Sequence, residues 1–250
     1  MQRYFAKAKE GDKLYLYDSD YHHIKNVMRQ NINDKIEVVF DNITYICIIE
    51  KLDPVSLAIV DTFKEDKEMQ TEVTIALSLV NEQKMDLILQ KLTELGVSRI
   101  IPVKTERSIV KLDDKKTIKK IARWQMICKE ASEQSKRIKV PIVSDVMSLS
   151  ELLKVPNELK LICSLSKETK PLNNYLKKNI KEVLFVIGPE GGFTDKEEQL
   201  LLKDFKPVTL GKRVMRVETA AIYVTSIINY ICEEWCYEVY RRFLQKLRCC

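Results

Sequence analysis

Two glycine-rich phosphate signatures are missing from this chain. Neither GxxxxGK[ST] nor GxGxxG occurs among its six glycines, so a nucleoside triphosphate or a dinucleotide would lack its usual cradle. Histidine is scarcer still. His22 and His23 are neighbours and would point about 100° apart on a helix, so both cannot grip one metal ion. The seven cysteines, at 47, 128, 163, 232, 236, 249 and 250, include no CxxC pair. No metal site is expected, and buried thiols are the plainer account of Cys232 and Cys236, one helical turn apart. An odd count of cysteines fits a reducing compartment. No apolar run reaches the roughly 18 residues of a membrane helix. The opening MQRYFAKAKEGDK carries no apolar signal core, so a cytoplasmic protein is expected.

What is present describes a globular protein. Hydrophobic residues make up 45% and charged residues 31% of 250, enough for a sizeable core in one large domain or in a small and a medium one. The net charge of +6 permits a polyanionic partner without demanding one.

The first 60 or so residues read as β-rich. KLYLYD, KIEVVFD, TYICIIEKL and SLAIVDTF are short Tyr-, Val- and Ile-rich runs separated by Asn33-Asp34 and Asp41-Asn42 turns, with one helical piece at Tyr21–Arg29. Such spacing suggests a small barrel. The charged stretch KEDKEMQTE (64–72) then marks a boundary. Beyond it, strands VTIALSLV, RIIPV, LKLICS, VLFVI and PVTLG alternate with helices from Asn81, at 117–137, at 195–203 and from about 218. That alternation implies an α/β domain with a mostly parallel sheet covered on both faces. Gly96 follows the first of these helices as a C′ residue.

Two strand-to-helix loops stand out. The first is VIGPEGGFTDKEEQL, from Val186 to Leu200. Thr194 and Glu197 have the capping-box arrangement, and Asp195, Glu197 and Glu198 crowd the first turn. Glu190 between glycines would repel a phosphate, whereas a neutral or cationic ligand such as S-adenosylmethionine (SAM) fits; a tight turn with no ligand accounts for the glycines equally well. The second loop, LGKRVMRVETAA, brings Arg213, Arg216 and Glu218 to the mouth of an apolar helix, at the edge where open α/β sheets bind ligands. On the helix at 117–137, Glu130, Glu133, Gln134 and Arg137 are spaced to share one face, by default a solvated one.

Together, IGPEGGFT, LGKRVMRVETAA, KMDLILQKLTELGVSRIIPVKTERS and RWQMICKEASEQSKRIKVP resemble the motifs of the bacterial ribosomal RNA small-subunit methyltransferase E family. RYF and DYHHIKNVMR resemble the family's start, so the likeness covers nearly the whole chain. It departs at Lys212, Val217 and Asn33, where the family usually has proline, threonine and glycine, and the tail EEWCYEVYRRFLQKLRCC runs past the usual end. The resemblance implies SAM-dependent methylation of N3 of a uridine in 16S rRNA. It implies a PUA-like β-barrel that helps hold RNA at 1–68 and a SPOUT-type methyltransferase domain at 72–250. That domain would carry a C-terminal trefoil knot at about 160–232 and work as a homodimer on the small ribosomal subunit.

In such enzymes the cofactor lies in the knotted loops. Here those are Ser164 to Ser166 with Leu165, then Ile187, Gly188, Pro189, Glu190, Gly191 and Gly192. The third is Leu210 and Gly211 with Val214, Met215, Arg216 and, beyond them, Thr219. Uracil N3 must lose its proton before attacking the methyl group. Arg216 is the expected electrostatic group, with Glu218 or Glu190 as base or orienting partner. Gln134 and Arg137 are expected to place the base or a phosphate, and Arg3, Lys25, Arg29, Lys104 and Arg107 to contact phosphates. One of His22 and His23 is expected to pack against the barrel. Methylation of another RNA, tRNA or 23S rRNA, and a non-catalytic RNA-binding assembly protein remain open alternatives.

Overall fold

A computed structural model of the chain describes residues 1–65, 67–108, 114–164, 169–176 and 180–232. Leu165, Ser166, Cys236, Cys249, Cys250 and the tail from residue 233 lie outside the described residues. The rest fall into two compact units. One is Met1–Glu68 together with Lys129–Val140, and the other runs over Met69–Cys128 and from Pro141 onward.

The first unit is built from β1 (Arg3–Phe5), β2 (Ala8–Glu10), β3 (Lys13–Tyr15), α1 (Asp18–His22), β4 (Lys35–Phe40), β5 (Ile43–Leu52) and β6 (Val55–Phe63). The order β1-β4-β5-β6 makes a four-stranded sheet, and β2 and β3 form a separate antiparallel hairpin. β1 runs parallel to β4, and β4, β5 and β6 pair antiparallel. The expected barrel is thus a mixed sheet plus a hairpin at the level of hydrogen-bonded pairing. Alternation along β4 buries Ile36 and Val38 with Tyr4, Leu14, Leu16, Ile24, Cys47 and Ile49. The Asn33-Asp34 turn needs a left-handed residue, and Asn33 supplies it at φ 75°, a conformation asparagine tolerates where glycine is usual. The helical piece expected at Tyr21–Arg29 starts earlier, as α1, and continues as a π-helical turn over His23–Val27.

Polar groups stitch this unit together. Arg3 is 1% exposed, and its guanidinium donates to Glu37, Glu65 and the carbonyls of Lys136 and Arg137. Lys129 lies 2.6 Å from both Asp20 and Glu133, and Glu133 also accepts the Phe5 N–H at 3.1 Å. Burial opposes charge on Lys129 but is outweighed by Glu133 and Asp20, so its ammonium is held above the usual value. Burial pushes Glu133 up to about 7; Lys129 opposes the shift, and the neighbouring Asp20 charge adds to it.

The second unit contains β7 (Glu72–Ser78), α2 (Glu82–Glu94), β8 (Arg99–Lys104), α3 (Asp114–Gln134, whose last turns group with the first unit), β9 (Ile142–Val143), β10 (Met147–Ser148) and α4 (Leu149–Leu153). It continues with β11 (Leu159–Cys163), β12 (Lys170–Pro171), β13 (Glu182–Ile187), α5 (Asp195–Leu201), β14 (Lys206–Thr209) and α6 (Val217–Cys232). The strands form one sheet in the order β10-β8-β7-β13-β11-β14-β12, with β9 also on β8. Every described pairing in it is parallel. β7 and β13, at its centre, are buried at every position after the first, the pattern of a parallel strand covered on both faces.

Helix α2 buries Met85, Ile88, Leu89 and Leu92 in one stripe. Truncating such a residue to alanine typically costs about 2–5 kcal/mol. Asn81 caps the helix by accepting the Lys84 N–H, and Gly96 follows its end at φ 89°. The short elements β9, β10 and α4 are absent from the sequence expectation, since two-residue strands carry no periodicity to read. α3 also ends earlier than residue 137, because Lys136 turns left-handed at φ 61°. Among the described residues, no helix is long and apolar enough to cross a membrane, and no cluster of His, Cys, Asp and Glu could hold a metal ion.

Candidate active site

Strands β13, β11 and β14 are neighbours and run parallel, so the loops leaving their carboxyl ends emerge side by side. They wall a cavity of about 700 Å³, within the range typical of small-molecule sites. The Ser164 N–H is tied to the Val208 carbonyl at 3.2 Å, which keeps the first and third loops in register.

The loop after β13 makes a tight turn, closed by the Gly192 N–H donating to the Pro189 carbonyl at 2.8 Å. Gly192 needs its φ of 69°. A Cβ on Gly188 would meet the Phe193 ring at 2.9 Å, so only glycine lets the ring fold back there. Arg107 donates to the carbonyls of Gly191 and Phe193 at 2.8 and 3.3 Å, pinning the turn from the loop after β8. Beyond it, the start of α5 is spent on its own side chains. Thr194 caps the Glu197 N–H, Glu197 accepts the Thr194 N–H, and the other Glu197 oxygen accepts the Glu106 N–H.

The loop after β14 is anchored by the Gly211 N–H on the Thr209 hydroxyl at 3.2 Å. It presents Val214, 77% exposed, and Arg213 and Arg216, also exposed. The Arg216 guanidinium makes no ion pair or hydrogen bond among the described residues, which leaves it available to a ligand. Glu218 lies in the first turn of α6 and is largely buried; its Oε2 has no hydrogen-bond partner among the described residues. Lys84 of α2 bonds Glu190 and lies 3.8 Å from that Glu218 oxygen.

Of the residues expected at a cofactor, Ile187, Gly188, Pro189, Glu190, Gly191, Gly192, Leu210, Gly211, Val214, Met215 and Arg216 all line this one cavity. Thr219 does not, nor does Glu218, and Leu165 lies outside the described residues. Lys84, Cys163 and Phe193 line it without having been foreseen. For Lys84 a signal existed: a cation in the first turn of a helix opposes the helix dipole unless a carboxylate answers it. Burial pushes the Cys163 thiol up to about 12, so it stays protonated.

Three expectations need correcting. Glu190 does not make the crevice negative. Lys84, Arg107, Arg213 and Arg216 line it against Glu190 and Glu198, a formal excess of two positive charges. What disfavours phosphate at the α5 N-terminus is the Glu197 N–H already bonded to Thr194 and the three acidic side chains of the first turn, Asp195, Glu197 and Glu198. Arg3 and Arg137 do not reach out to RNA either. Both are buried, Arg3 spent as above and Arg137 on Glu68 at 2.5 Å. Finally, Glu130, Glu133, Gln134 and Arg137 do not share a face, since the helix stops at Gln134. Glu130 and Gln134 are exposed, while Glu133 and Arg137 are buried.

Arg107 belongs to the cavity wall, while Lys104 is exposed at the end of β8. In the first unit Lys25, paired with Asp53 at 3.1 Å, and Arg29 are both exposed. His23 packs edge-on against Tyr4 and bonds its hydroxyl at 3.0 Å.

Residues 67–229 match the pattern of a family described as an RNA methyltransferase domain, and residues 16–60 that of an RNA methyltransferase PUA domain. Ribosomal RNA small subunit methyltransferase E of Bacillus subtilis is 38% identical, over 92% of this chain and 96% of its own length. This chain belongs to the ribosomal RNA small subunit methyltransferase E family. It is therefore an RNA methyltransferase. Two solved structures are similar throughout. The family member from Neisseria gonorrhoeae, bound to SAM, is 32% identical with a TM-score of 0.85, covering 94% of this chain and 99% of that one. A Legionella pneumophila protein solved with the cofactor SAM is 30% identical with a TM-score of 0.87, covering 92% and 97%.

The cavity fits such a cofactor on its own evidence. Gly192 leaves open space where a Cβ would stand, and the apolar side chains of Leu210, Val214 and Met215 offer a face for a flat ring.

Proposed function

We propose that this chain methylates N3 of a uridine in 16S rRNA of the small ribosomal subunit, with SAM as methyl donor, as a cytoplasmic homodimer. In the same proposal, residues 1–68 form the PUA-like RNA-holding domain and 72–250 the SPOUT-type domain, knotted over about 160–232. The partner protomer completes the site. One observation carries the assignment of the donor site: the carboxyl ends of three adjacent parallel strands meet around one glycine-walled cavity.

When bound, SAM supplies a methyl group on a positively charged sulfur. Ile187, Gly188, Leu210 and Met215 would hold it, together with the backbone of Pro189 and Gly191. The protein's own work falls on the uracil. Its N3 proton must leave before that nitrogen can attack, and the negative charge then spreads onto the two flanking carbonyl oxygens. Arg216, with its guanidinium unspent, stabilises that charge. Glu190, exposed in the cavity wall, takes the proton directly or through a water molecule. Glu218 acts through Lys84 as an orienting group. Lys25, Arg29, Lys104 and Gln134 are exposed and serve RNA contacts, positioning the strand rather than reading its sequence.

The test is transfer of labelled methyl from SAM to purified unmethylated small subunits, with mass spectrometry of the product nucleoside. N3-methyluridine in 16S rRNA is expected. Label in another RNA, or none, overturns the assignment. Arg216→Ala should slow transfer about 10²–10³-fold, the usual loss for one transition-state donor; an unchanged rate removes Arg216 from the chemistry.

A further inference from the structure

Lys84 stands apart from the residues that the cofactor loops supply. It comes from the first turn of α2, on the far side of β7 in the chain, yet its ammonium reaches the cavity. There it bonds Glu190 and stands 3.8 Å from a Glu218 oxygen that has no hydrogen-bond partner among the described residues. Among the described residues it is the one cation within 4 Å of either carboxylate. One positive charge is thus shared by two negative ones, and one unit of negative charge is left over beside the cavity.

We propose that Lys84 is a charge-tuning residue of the cofactor site: by cancelling one of the two carboxylates it sets how strongly the cavity prefers a cationic ligand over its neutral counterpart. The inference rests on the SAM assignment above and deepens it. Methyl transfer converts a sulfonium donor into a thioether product, S-adenosylhomocysteine, which differs at the sulfur by one methyl group and one positive charge. Two bare carboxylates at this edge of the cavity would hold the donor more tightly than the product. They would also lower the potential where a uracil must become an anion, which works against deprotonation. With Lys84 in place the Lys84–Glu190–Glu218 trio keeps a single negative charge, set in a lining that Arg107, Arg213 and Arg216 make positive as a whole.

The geometry also explains the position of the lysine. At the N-terminal turn of a helix an ammonium opposes the local dipole, a cost the two carboxylates offset. Lys84 is partly exposed, so a ligand can displace or approach it without desolvating a buried charge.

Calorimetric titration of the purified protein with SAM and with S-adenosylhomocysteine gives the ratio of the two dissociation constants. In Lys84→Met the preference for SAM should rise roughly tenfold, the size expected for one unit charge several ångströms away at intermediate dielectric. Lys84→Arg should keep the wild-type ratio within about twofold. Glu190→Gln should lower it, and carries the test alone if Lys84→Met does not fold. A ratio that stays put in Lys84→Met, or in Glu190→Gln where that variant stands alone, overturns the role of Lys84 while leaving the cofactor assignment standing. If the wild type binds neither compound, both fall together.

Discussion

Among the described residues two lysines each sit between two carboxylates, one in each compact unit, and they are built to opposite standards. Lys129 is buried, 2.6 Å from Asp20 and from Glu133, and Glu133 is further bonded by the Phe5 N–H. Lys84 is partly exposed, bonded to Glu190 but 3.8 Å from Glu218, where one carboxylate oxygen stays unpartnered. The first trio is closed: all three side chains are buried and bonded to one another within the unit, so its effect is on folding. The second is open towards a cavity, because Lys84 and Glu190 both line it. Identical chemistry becomes scaffold or site according to whether its last partner is supplied by the fold.

The sharpest way to break this comparison is Lys129→Met against Lys84→Met in denaturant unfolding. Removing the cation from the buried trio leaves uncompensated charge and should cost about 3–5 kcal/mol. The exposed counterpart should cost no more than about 1 kcal/mol. Similar losses for the two variants would erase the distinction.

A smaller effect, in the same trio, is dependence on pH. Glu133 is raised in the folded protein from 4.5 to about 7, chiefly by burial. A carboxyl raised on folding binds its proton more tightly in the native state, so its contribution is fully present below pH 4.5 and is lost as pH rises to about 7. The loss amounts to about 3 kcal/mol. Glu133→Gln should remove this decline; a stability curve between pH 4.5 and 7 that keeps its slope in the variant would show that Glu133 is not its source. Glu37 and Glu65 act in the opposite sense. Burial opposes their ionisation, but hydrogen bonds from Lys136 and Arg3 to Glu37, and from Lys67 and Arg3 to Glu65, outweigh it. Their stabilisation is therefore lost as pH falls.

Periodicity made much of the second unit legible. The Met85, Ile88, Leu89 and Leu92 stripe, the Thr194 capping box and the continuous apolar run of β13 each follow from local rules, and each holds. The glycines at 188 and 192 were readable as a close turn: at 188 a Cβ would strike Phe193, and at 192 the backbone is left-handed. What local rules could not supply was which distant charges would meet. Glu190 looked like bare negative charge until Lys84, 106 positions earlier, proved to answer it. Arg3 and Arg137 looked like surface cations because nothing nearby in sequence reveals Glu65 or Glu68 as their partners. Long-range ion pairing is set by topology, and electrostatic inferences drawn along the chain fail where strands bring remote segments together.

The central claim is that the cavity between the β11, β13 and β14 loops is a SAM site that refuses nucleotides. Titrating the protein with SAM in the presence and absence of excess ATP tests it directly. The expected result is one saturable SAM site per chain, lost or weakened when Gly188 is replaced by valine, and untouched by ATP. Absence of SAM binding, or its displacement by ATP from the residue 188–192 loop, would contradict it.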